Sequence, residues 1–392
     1  MYDVIISGAG PSGSKSAQIL AKAGYKVALL EKDINWRKPC GGALNPIVIE
    51  HYPQLKKLSL LQLKGIVMHS ADYHYLEYSG GGPPGAIIDR LTFDNFIRKI
   101  AIETGAEIFN KNITFDLIVK GNQKIGVKSK TPIGTKEYFG KIIIIADGMS
   151  SKLAIRSGLR TKWKLDEIAL AKCSILQGSH QLDEHNAYIF FRPYKGYGWI
   201  FPLDTHHFNI GIYTFGEDNR RYNILEIYDG FLNDPQVRKY ISASDYKTIW
   251  TACYLFPIQG VLQKSLYDDN LMIVGDAGGF ISPISGEGIH TSIISGKIAA
   301  ETAIAALEQE SYSKNTLKEY KSHPEIKTVT RDFKLTYSMA NFFYENKGQN
   351  LNRMLALTEK DPEFKSQVID IFTSTTLSIP SKEFFSRILN KK

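Results

Sequence analysis

The first 32 residues constrain this chain more than any other stretch. Val4-Ile5-Ile6 is typical of a buried strand, and the glycine-rich turn Gly8-Ala9-Gly10-Pro11-Ser12-Gly13 follows it closely. Residues 14–23 carry apolar side chains at helical spacing, and residues 27–30 form a second apolar run that ends at Glu31. The segment therefore predicts a strand, a tight turn, a helix and a second strand.

This order of elements is typical of dinucleotide binding. Gly8 permits the tight turn, Gly10 lets the backbone approach a pyrophosphate, and Gly13 lets the helix pack closely on the strand. The helix N-terminus, with the Ser12 backbone, offers N–H groups and a partial positive charge to phosphates. Glu31 can accept hydrogen bonds from an adenosine ribose. NAD(P) and FAD both fit, and an ordinary strand-to-helix turn, which would not need Glu31, is the alternative.

The composition limits where such a domain can work. The chain has 392 residues and is 43% hydrophobic, enough for two domains or one large domain with an inserted lobe. No run approaches the roughly 18 apolar residues of a membrane span, and the N-terminus lacks the basic region of a signal peptide. Cys40, Cys173 and Cys253 are scattered and fit neither a disulfide framework nor a zinc site. We therefore predict a cytoplasmic protein without a metal centre.

The net charge of +8 is unevenly distributed. Residues 311–392 contain 14 Lys/Arg against 9 Asp/Glu, so +5 of the charge lies in the last fifth of the chain. No stretch has the dense mixture of basic and aromatic residues found on nucleic-acid-binding surfaces, so we expect no nucleic-acid partner. The basic region suits an anionic membrane face, which would place the protein peripherally at the inner side of the membrane, or an acidic partner such as a ferredoxin. A plain solvated surface is the alternative.

The rest of the chain predicts a second sheet inserted into a nucleotide-binding domain. Residues 142–146 and 271–274 are continuous apolar runs, as expected of strands buried on both faces. They end in Asp147 and in Gly275-Asp276, and open α/β sheets bind ligands at such strand ends. The predicted fold class is α/β: a Rossmann-type domain of residues 1–65, 91–160 and 267–310, an inserted antiparallel β-sheet lobe of residues 66–90 and 161–266, and a helical C-terminal region of residues 311–392.

Five further motifs point to one family. They are Lys38-Pro39-Cys40-Gly41-Gly42-Ala43, Arg90 with Phe93 and Asp94, Ala146-Asp147-Gly148, Tyr197-Gly198-Trp199-Ile200-Phe201-Pro202, and Gly275-Asp276-Ala277 through Pro283, Gly286 and Gly288. Together they resemble the flavoprotein geranylgeranyl reductases, within the larger group that includes p-hydroxybenzoate hydroxylase. The resemblance covers most of residues 1–310. It departs from the family's Pro-x-x-Tyr-x-Trp-x-Phe-Pro motif at Pro193, which lies one residue too far upstream.

The resemblance implies that the dinucleotide is FAD. Arg90 and Asp147 would contact it, Asp276 would hold its ribityl chain, and Gly288 and Ile289 would present backbone N–H groups to flavin oxygens at a helix start. Cys40 and Gly41 would approach from the opposite side. The predicted cofactor-binding residues are Gly8, Gly10, Ser12, Gly13, Glu31, Lys32, Cys40, Gly41, Arg90, Ile113, Asp147, Gly275, Asp276, Gly286, Gly288 and Ile289, with Ile113 beside the adenine.

The implied activity is saturation of C=C bonds in a geranylgeranyl or polyprenyl chain by hydride transfer from reduced flavin. The substrate would be a membrane lipid, a quinone or a prenyl diphosphate, and the electron donor NAD(P)H or reduced ferredoxin. The predicted catalytic residues are Cys40, Tyr197 and Trp199. Tyr197 and Trp199 would line the prenyl cavity, and Cys40 is a candidate proton donor, directly or through a water held by Tyr197. A small buried hydrophobe is the alternative interpretation of Cys40.

Two other functions remain open at this stage. The first is a flavin-dependent monooxygenase or halogenase acting on a small aromatic substrate. The segment 197–202 is similar to the Trp-x-Trp-x-Ile-Pro motif of flavin halogenases, with Tyr197 in place of the first Trp and Phe201 in place of Ile. The second is a non-redox protein in which the flavin is structural.

Overall fold

The computed structural model describes residues 1–389 except 59, 81–84, 122, 220–222, 263 and 374–379. Its contacts divide the chain into two compact units, each assembled from three segments. The first unit comprises Met1–Lys38, Leu91–Lys164 and Pro257–Leu335, and the second comprises Pro39–Arg90, Leu165–Phe256 and Thr336–Lys392.

An eight-stranded sheet forms the centre of the first unit. Five of its strands are parallel, in the order β18-β11-β1-β2-β8. A further strand pairs antiparallel with β18, and two more extend β11 as an antiparallel meander. The strands are β1 (Tyr2–Ser7), β2 (Val27–Leu30), β8 (Glu107–Phe109), β9 (Ile113–Lys120), β10 (Gln123–Thr131), β11 (Gly134–Ile145), β17 (Tyr267–Asp268) and β18 (Leu271–Ile273).

Helices pack on this sheet because its central strands are apolar on both faces. Val4 to Ile6 and Ile142 to Ile145 are completely buried, as the continuous apolar runs predicted. The helices are α1 (Pro11–Lys22), α3 (Arg90–Glu103), α4 (Lys152–Arg156), α8 (Ile289–Glu308) and α9 (Lys314–Ser322). Helices α1 and α8 approach closely, because Gly296 lies against the Ser12 backbone and the Ser16 hydroxyl donates to the Gly296 carbonyl at 2.8 Å.

A seven-stranded sheet forms the centre of the second unit, in the order β16-β12-β15-β14-β13-β5-β6. The pair β5–β13 is parallel, and the pairs β5–β6, β13–β14, β14–β15 and β12–β15 are antiparallel. The strands are β5 (Gly65–His69), β6 (Tyr75–Ser79), β12 (Ile168–His180), β13 (Asn186–Phe191), β14 (Tyr197–Pro202), β15 (His207–Phe215) and β16 (Ile241–Pro257). A small sheet, β3-β7-β4, contains β3 (Ala43–Leu44), β4 (Leu61–Leu63) and β7 (Gly85–Ile87).

The two faces of the seven-stranded sheet have different surroundings, because alternate residues of a strand point to opposite faces. One face carries Phe190, Ile200 and Ile210 and packs on Phe231 of α6 in a buried apolar core. The opposite face carries Tyr197, Trp199, Phe201 and their cross-strand neighbours. The remaining helices of this unit are α2 (Pro46–His51), α5 (Gly216–Asn219), α6 (Ile224–Leu232), α7 (Pro235–Arg238), α11 (Pro362–Thr373) and α12 (Lys382–Leu389).

Helix α10 (Pro324–Thr358) begins in the first unit and ends in the second. Residues 345–348 interrupt it, and Asn346, Lys347 and Gly348 all have left-handed backbone angles. Short 3₁₀ helices occur at Pro53–Lys57, Leu165–Glu167 and Gly275–Gly278.

The predicted fold class is confirmed: a parallel nucleotide-binding sheet, an antiparallel second sheet and a helical C-terminal region are all present. The units nevertheless differ from the predicted boundaries, most clearly at residues 39–65 and 311–335. Residues 39–65 belong to the second unit, because β3 and β4 both pair with β7. Residues 311–335 belong to the first, where Tyr320 of α9 donates a hydrogen bond to the Ile273 carbonyl at 3.0 Å.

Candidate functional site

The glycine turn between β1 and α1 is built by close backbone contacts. Gly8 has a φ of +101°, and a Cβ there would clash with the Ala146 carbonyl. A Cβ on Gly13 would clash with the Gly8 carbonyl. At Gly10, by contrast, no described atom lies within 4 Å of the position that a Cβ would take. The turn is therefore packed against protein at two of its glycines and open at the third, as expected where a pyrophosphate approaches the backbone.

Two acidic residues lie beside this turn. Glu31 accepts a hydrogen bond from the Ala9 N–H at 2.7 Å and another from the Asp33 N–H at 3.1 Å. Asp147 follows β11, and its Cα lies against Gly8. Its Oδ1 is buried and has no hydrogen-bond partner among the described residues. Burial, together with the nearby charge of Glu31, raises the pKa of Asp147 to about 7.

The second glycine motif lies against the first turn of α1, next to the first glycine motif. The position that a Gly275 Cβ would take lies 2.6 Å from the Ser12 hydroxyl, and the Gly275 N–H donates to Ser295 of α8 at 3.0 Å. Asp276, which is buried, forms an ion pair with Lys38. Gly286 has a φ of +65°, Gly288 is the N-cap of α8, and Ile289 is its first residue. The first unit thus brings most of the predicted cofactor residues to one end of its sheet.

Three other predicted cofactor residues, Lys32, Ile113 and Arg90, lie outside the two glycine motifs. The Lys32 ammonium lies 3.6 Å from the centroid of the Trp36 ring, and burial lowers the pKa of Lys32. Ile113 is 52% exposed at the start of β9, next to Asn112, whose N–H donates to the Glu31 carbonyl at 2.9 Å. Arg90 is buried at the first residue of α3 and belongs to the second unit.

These features of the first unit fit a bound dinucleotide. The α1 N-terminus is capped by Gly10, which has no side chain to occupy the first N–H groups of the helix. The α8 N-terminus is likewise capped by a glycine, Gly288. Helix N-termini of this kind bind phosphate and other negative groups. The residues present therefore match the cofactor that the sequence motifs imply.

The second unit brings the Cys40-Gly41 segment onto the aromatic face of its sheet. A Cβ on Gly41 would clash with the Phe201 ring and would lie 3.0 Å from the Trp199 Nε1. The Cys40 thiol is partly exposed and accepts a hydrogen bond from the Gly42 N–H at 3.4 Å. Two motifs separated by more than 150 residues therefore form one surface.

Tyr197 extends this face. Its ring packs edge-on against Tyr213 at 4.7 Å and lies 6.3 Å from the rings of Trp199 and Phe191. The hydroxyl of Tyr344, from α10, donates to the Gly196 carbonyl at 2.5 Å. The predicted substrate residues therefore occupy an aromatic face that a C-terminal helix also borders.

Two residues of this face were not among the predicted site residues. Asn209 of β15 is buried and hydrogen-bonds both Trp199 and the Cys40 backbone. Cys173 of β12 is completely buried on the same face, where it lies opposite Gly211 of β15. Burial raises the pKa of Cys173 to about 12, so this thiol stays protonated at neutral pH. A polar residue at an inward position of an otherwise apolar strand was the available sequence signal for Asn209.

No group of three or more His, Cys, Asp or Glu side chains in the described ranges is placed to hold a metal ion. Among the described helices, none combines the length and the apolar character needed to cross a membrane.

A family model and several solved structures are similar to this chain. Residues 3–183 match the family model described as glucose inhibited division protein A. Among solved structures, a geranylgeranyl bacteriochlorophyll reductase-like protein from Thermoplasma acidophilum superposes with a TM-score of 0.81 and 22% identity over 99% of this chain and 95% of that one. A flavin-dependent brominase superposes with a TM-score of 0.78 and 17% identity over 99% and 98%. At these identities the structural matches establish the fold alone.

The fold contains a parallel sheet, whose glycine cradle fits a dinucleotide, and an antiparallel second sheet. A curated relative narrows this class. Digeranylgeranylglycerophospholipid reductase 1 of Methanosphaera stadtmanae is 30% identical over 331 residues, which is 81% of this chain and 79% of the relative. The chain belongs to the digeranylgeranylglycerophospholipid reductase family.

Proposed function

We propose that the protein is an FAD-dependent reductase that saturates C=C bonds in the geranylgeranyl chains of a glycerophospholipid. The family assignment supports this reaction class. The structural observation that carries the proposal is the packing of Cys40-Gly41 against Trp199 and Phe201, because it joins a thiol to an apolar aromatic wall within one unit. An isoprenoid substrate requires such a wall, and a C=C reduction requires a proton source near it.

The first unit supplies the cofactor site in this proposal. The α1 N-terminus from Gly10 to Gly13 binds the pyrophosphate, Glu31 accepts hydrogen bonds from the ribose, and Asp276 binds the ribityl chain. The N-terminus of α8, at Gly288 and Ile289, stabilises negative charge on the isoalloxazine. When bound and reduced, FAD supplies the hydride.

The second unit binds the substrate and supplies the proton. The rings of Tyr197, Trp199 and Phe201 bury the prenyl chain, and each CH2 removed from water contributes about 0.8 kcal/mol. An apolar wall also excludes water from the alkene. The Cys40 thiol donates a proton to the alkene carbon that does not receive the hydride. The Gly42 N–H, which points at the Cys40 sulfur, stabilises the thiolate that remains.

Anaerobic flavin re-oxidation tests this function. The bound flavin is reduced under anaerobic conditions and mixed with a digeranylgeranylglycerophospholipid, and the absorbance of oxidised flavin is followed. We expect re-oxidation without O2 together with a mass increase of 2 for each reduced bond in the lipid. The fully saturated lipid is the matched control and leaves the flavin reduced. Preparations that never bind FAD, or reduced flavin that is stable to the unsaturated lipid, contradict the proposal.

The same experiment distinguishes the alternative functions. The second candidate is a monooxygenase or halogenase, because the fold is similar to that of a flavin-dependent brominase. Such an enzyme re-oxidises its flavin only when O2 is admitted. A protein with a structural flavin shows no substrate-dependent re-oxidation in either atmosphere. A quinone or prenyl diphosphate that re-oxidises the flavin faster than the lipid would reassign the substrate and retain the reaction.

We also propose that a basic groove in the first unit binds an acidic electron donor of the ferredoxin class. The groove has a volume of about 850 Å³ and lies between β17, α9 and the start of α10. It is lined by Lys318, Lys321, Lys327, Arg331 and Lys334, together with Tyr267, Glu319, Ser322 and Thr330. Opposite charges accelerate association, and salt screens them.

Flavin reduction by ferredoxin tests the groove. Reversing Lys327 and Arg331 to Glu should slow reduction by ferredoxin at low salt at least 10-fold and leave reduction by dithionite unchanged. Faster reduction by NAD(P)H than by ferredoxin favours the nucleotide donor instead. Co-sedimentation with anionic vesicles that is lost in the same variant assigns the groove to a peripheral membrane contact.

A further inference from the structure

A buried amide interrupts the aromatic face of the second sheet. Asn209 is only 5% exposed, and its neighbours in β15, Phe208 and Ile210, are completely buried on the opposite face. It lies directly across from Phe201 of β14 and Ile175 of β12. Burying an amide is unfavourable unless its polar atoms are hydrogen-bonded. The partners of Asn209 therefore indicate why an amide occupies this position.

The side chain of Asn209 bridges two predicted catalytic residues. Its Oδ1 accepts a hydrogen bond from the Trp199 Nε1–H at 2.9 Å, and its Nδ2 donates to the Cys40 carbonyl at 2.9 Å. The orientation of the amide follows from chemistry, because an indole N–H can only donate and a peptide carbonyl can only accept. A carboxylate could satisfy only the indole, and an apolar side chain could satisfy neither.

Two glycines make the bridge possible. A Cβ on Gly41 would crowd Trp199 Nε1 from the side of the Cys40 segment. A Cβ on Gly211 would clash with the six-membered ring of Trp199 from the side of β15. The indole is therefore confined between two glycine positions while Asn209 holds its N–H.

We propose that Asn209 is a positioning residue that fixes the Cys40 peptide and the Trp199 ring in one arrangement. The proposal rests on the proposed function, in which Cys40 delivers a proton and Trp199 borders the prenyl chain. Displacements of about 1 Å at a reacting group lower rates by as much as 10²-fold. Loss of the bridge therefore reduces turnover more than substrate binding.

Asn209→Asp provides a pH readout that a purely structural residue would not give. As a neutral acid, Asp accepts from Trp199 and donates to the Cys40 carbonyl, so the bridge is restored. As a carboxylate it keeps the first bond and repels the carbonyl. Burial raises the pKa of a carboxyl above its ordinary value near 4. We expect activity relative to wild type to fall at least 10-fold between pH 5 and pH 8, and a pH-independent ratio would overturn the proposal.

Asn209→Ala removes both bonds and has a matched control. Asn186 lies in the same sheet, is 4% exposed, and donates from Nδ2 to Asp183 at 3.5 Å. We expect Asn209→Ala to lower kcat about 10- to 100-fold with KM changed less than 3-fold. Asn186→Ala should reduce the melting temperature without this loss of kcat. Equal kcat losses in the two variants, or a change confined to KM in Asn209→Ala, contradict the positioning role.

A thiol measurement separates this proposal from the proposed reaction. The alkylation rate of Cys40 by iodoacetamide is measured in the holoenzyme by peptide mass spectrometry, with the exposed Cys253 as internal reference. In Asn209→Ala we expect the Cys40 rate to change at least 3-fold and the Cys253 rate to stay constant. If wild type fails to reduce the lipid while this shift occurs, the reaction is wrong and the positioning role stands. An unchanged Cys40 rate overturns the positioning role in either case.

Discussion

The two units build their candidate binding surfaces by different physical means. In the first, the important atoms belong to the backbone: Gly8 and Gly13 are glycines because the chain passes too close to itself for a Cβ. In the second, the important atoms belong to side chains, since Asn209, Trp199 and the Cys40 segment meet on the face of a sheet. A backbone cradle suits any dinucleotide phosphate, whereas a side-chain surface selects a particular substrate.

This difference also appears in sequence separation. The glycine turn and the helix that it precedes are consecutive in the chain, so a single strand–turn–helix unit creates the phosphate site. The bridge from Asn209 to Cys40 joins residues 169 positions apart. Substitutions should therefore separate the units: glycine changes in the first unit should affect cofactor binding, and side-chain changes in the second should affect turnover.

Cys40→Ala is expected to have the largest effect. A positioned proton donor typically contributes 10²- to 10⁴-fold to the rate, and the variant should lose a factor in that range from anaerobic re-oxidation by the lipid. FAD content should stay at the wild-type level, because the substitution changes neither the Cys40-Gly41 backbone nor the glycine cradle of the first unit. The exposed Cys253→Ala is the matched control and should retain full activity. An active Cys40→Ala would remove the thiol from the mechanism.

Two glycine substitutions probe the first unit. The Cβ of Gly13→Ala would clash with the Gly8 carbonyl, so we expect a loss of about 3 kcal/mol in the free energy of unfolding, at the upper end of the range for overpacking. Gly10→Ala should fold normally, because its φ is −77° and its Cβ would point into open space. It should nonetheless weaken FAD binding at least 10-fold. Measured FAD dissociation constants and urea unfolding check both; unchanged FAD affinity in Gly10→Ala would place the pyrophosphate elsewhere.

The sequence predicted most of the first unit because its pattern is local. The elements β1, α1, β2 and β18 are confirmed close to their predicted bounds, whereas the buried run predicted at residues 142–146 forms the end of a longer strand, β11. Periodicity and glycine spacing reflect contacts between residues that are near in the chain. The ion pair between Lys38 and Asp276 was not predicted, since no local pattern relates two residues 238 positions apart.

In the second unit the sequence predicted the antiparallel sheet, but it did not predict which side chains meet on its aromatic face. An antiparallel sheet was predicted within residues 161–266, and β13, β14 and β15 pair antiparallel there. The position of Asn209 opposite Phe201 depends on strand register, which alternation alone does not determine. Cys173 was one of three scattered cysteines in the sequence, and strand register places it on this face, opposite Gly211.

The burial of His69 in the second unit predicts that the free energy of unfolding depends on pH. Its ring stacks on Phe190 at 4.8 Å, and burial, with the nearby positive charge of Arg192, lowers its pKa from 6.5 to about 4. The unfolded chain binds this proton more tightly, so the stabilising contribution is complete above pH 6.5 and is lost as the pH falls towards 4. We expect the free energy of unfolding to fall by about 2 kcal/mol between pH 7 and pH 5.

The variant His69→Phe keeps an aromatic ring against Phe190 and should remove that share of the pH dependence. The exposed His206→Phe is the control and should retain the wild-type slope. Urea unfolding at both pH values, followed by a signal from the second unit such as near-ultraviolet circular dichroism, measures the difference. If the free energy of unfolding of His69→Phe depends on pH as strongly as that of wild type, this histidine is not held neutral by the fold.

The smallest expected effect concerns Glu31, where a side chain serves the backbone cradle. Its two oxygens accept from the Ala9 and Asp33 N–H groups, at 2.7 and 3.1 Å. In Glu31→Gln one of these acceptors becomes an NH2 group that faces a donor, which costs about 1–2 kcal/mol. We expect a similar loss in FAD binding, about 10-fold, because the ribose loses a charged acceptor.

Asp33→Asn, at a partly exposed ion pair with Lys111, should change the dissociation constant of FAD less than 3-fold. Equal losses in the two variants would mean that Glu31 supports the turn without binding the ribose. The backbone alone would then define the cofactor cradle of the first unit.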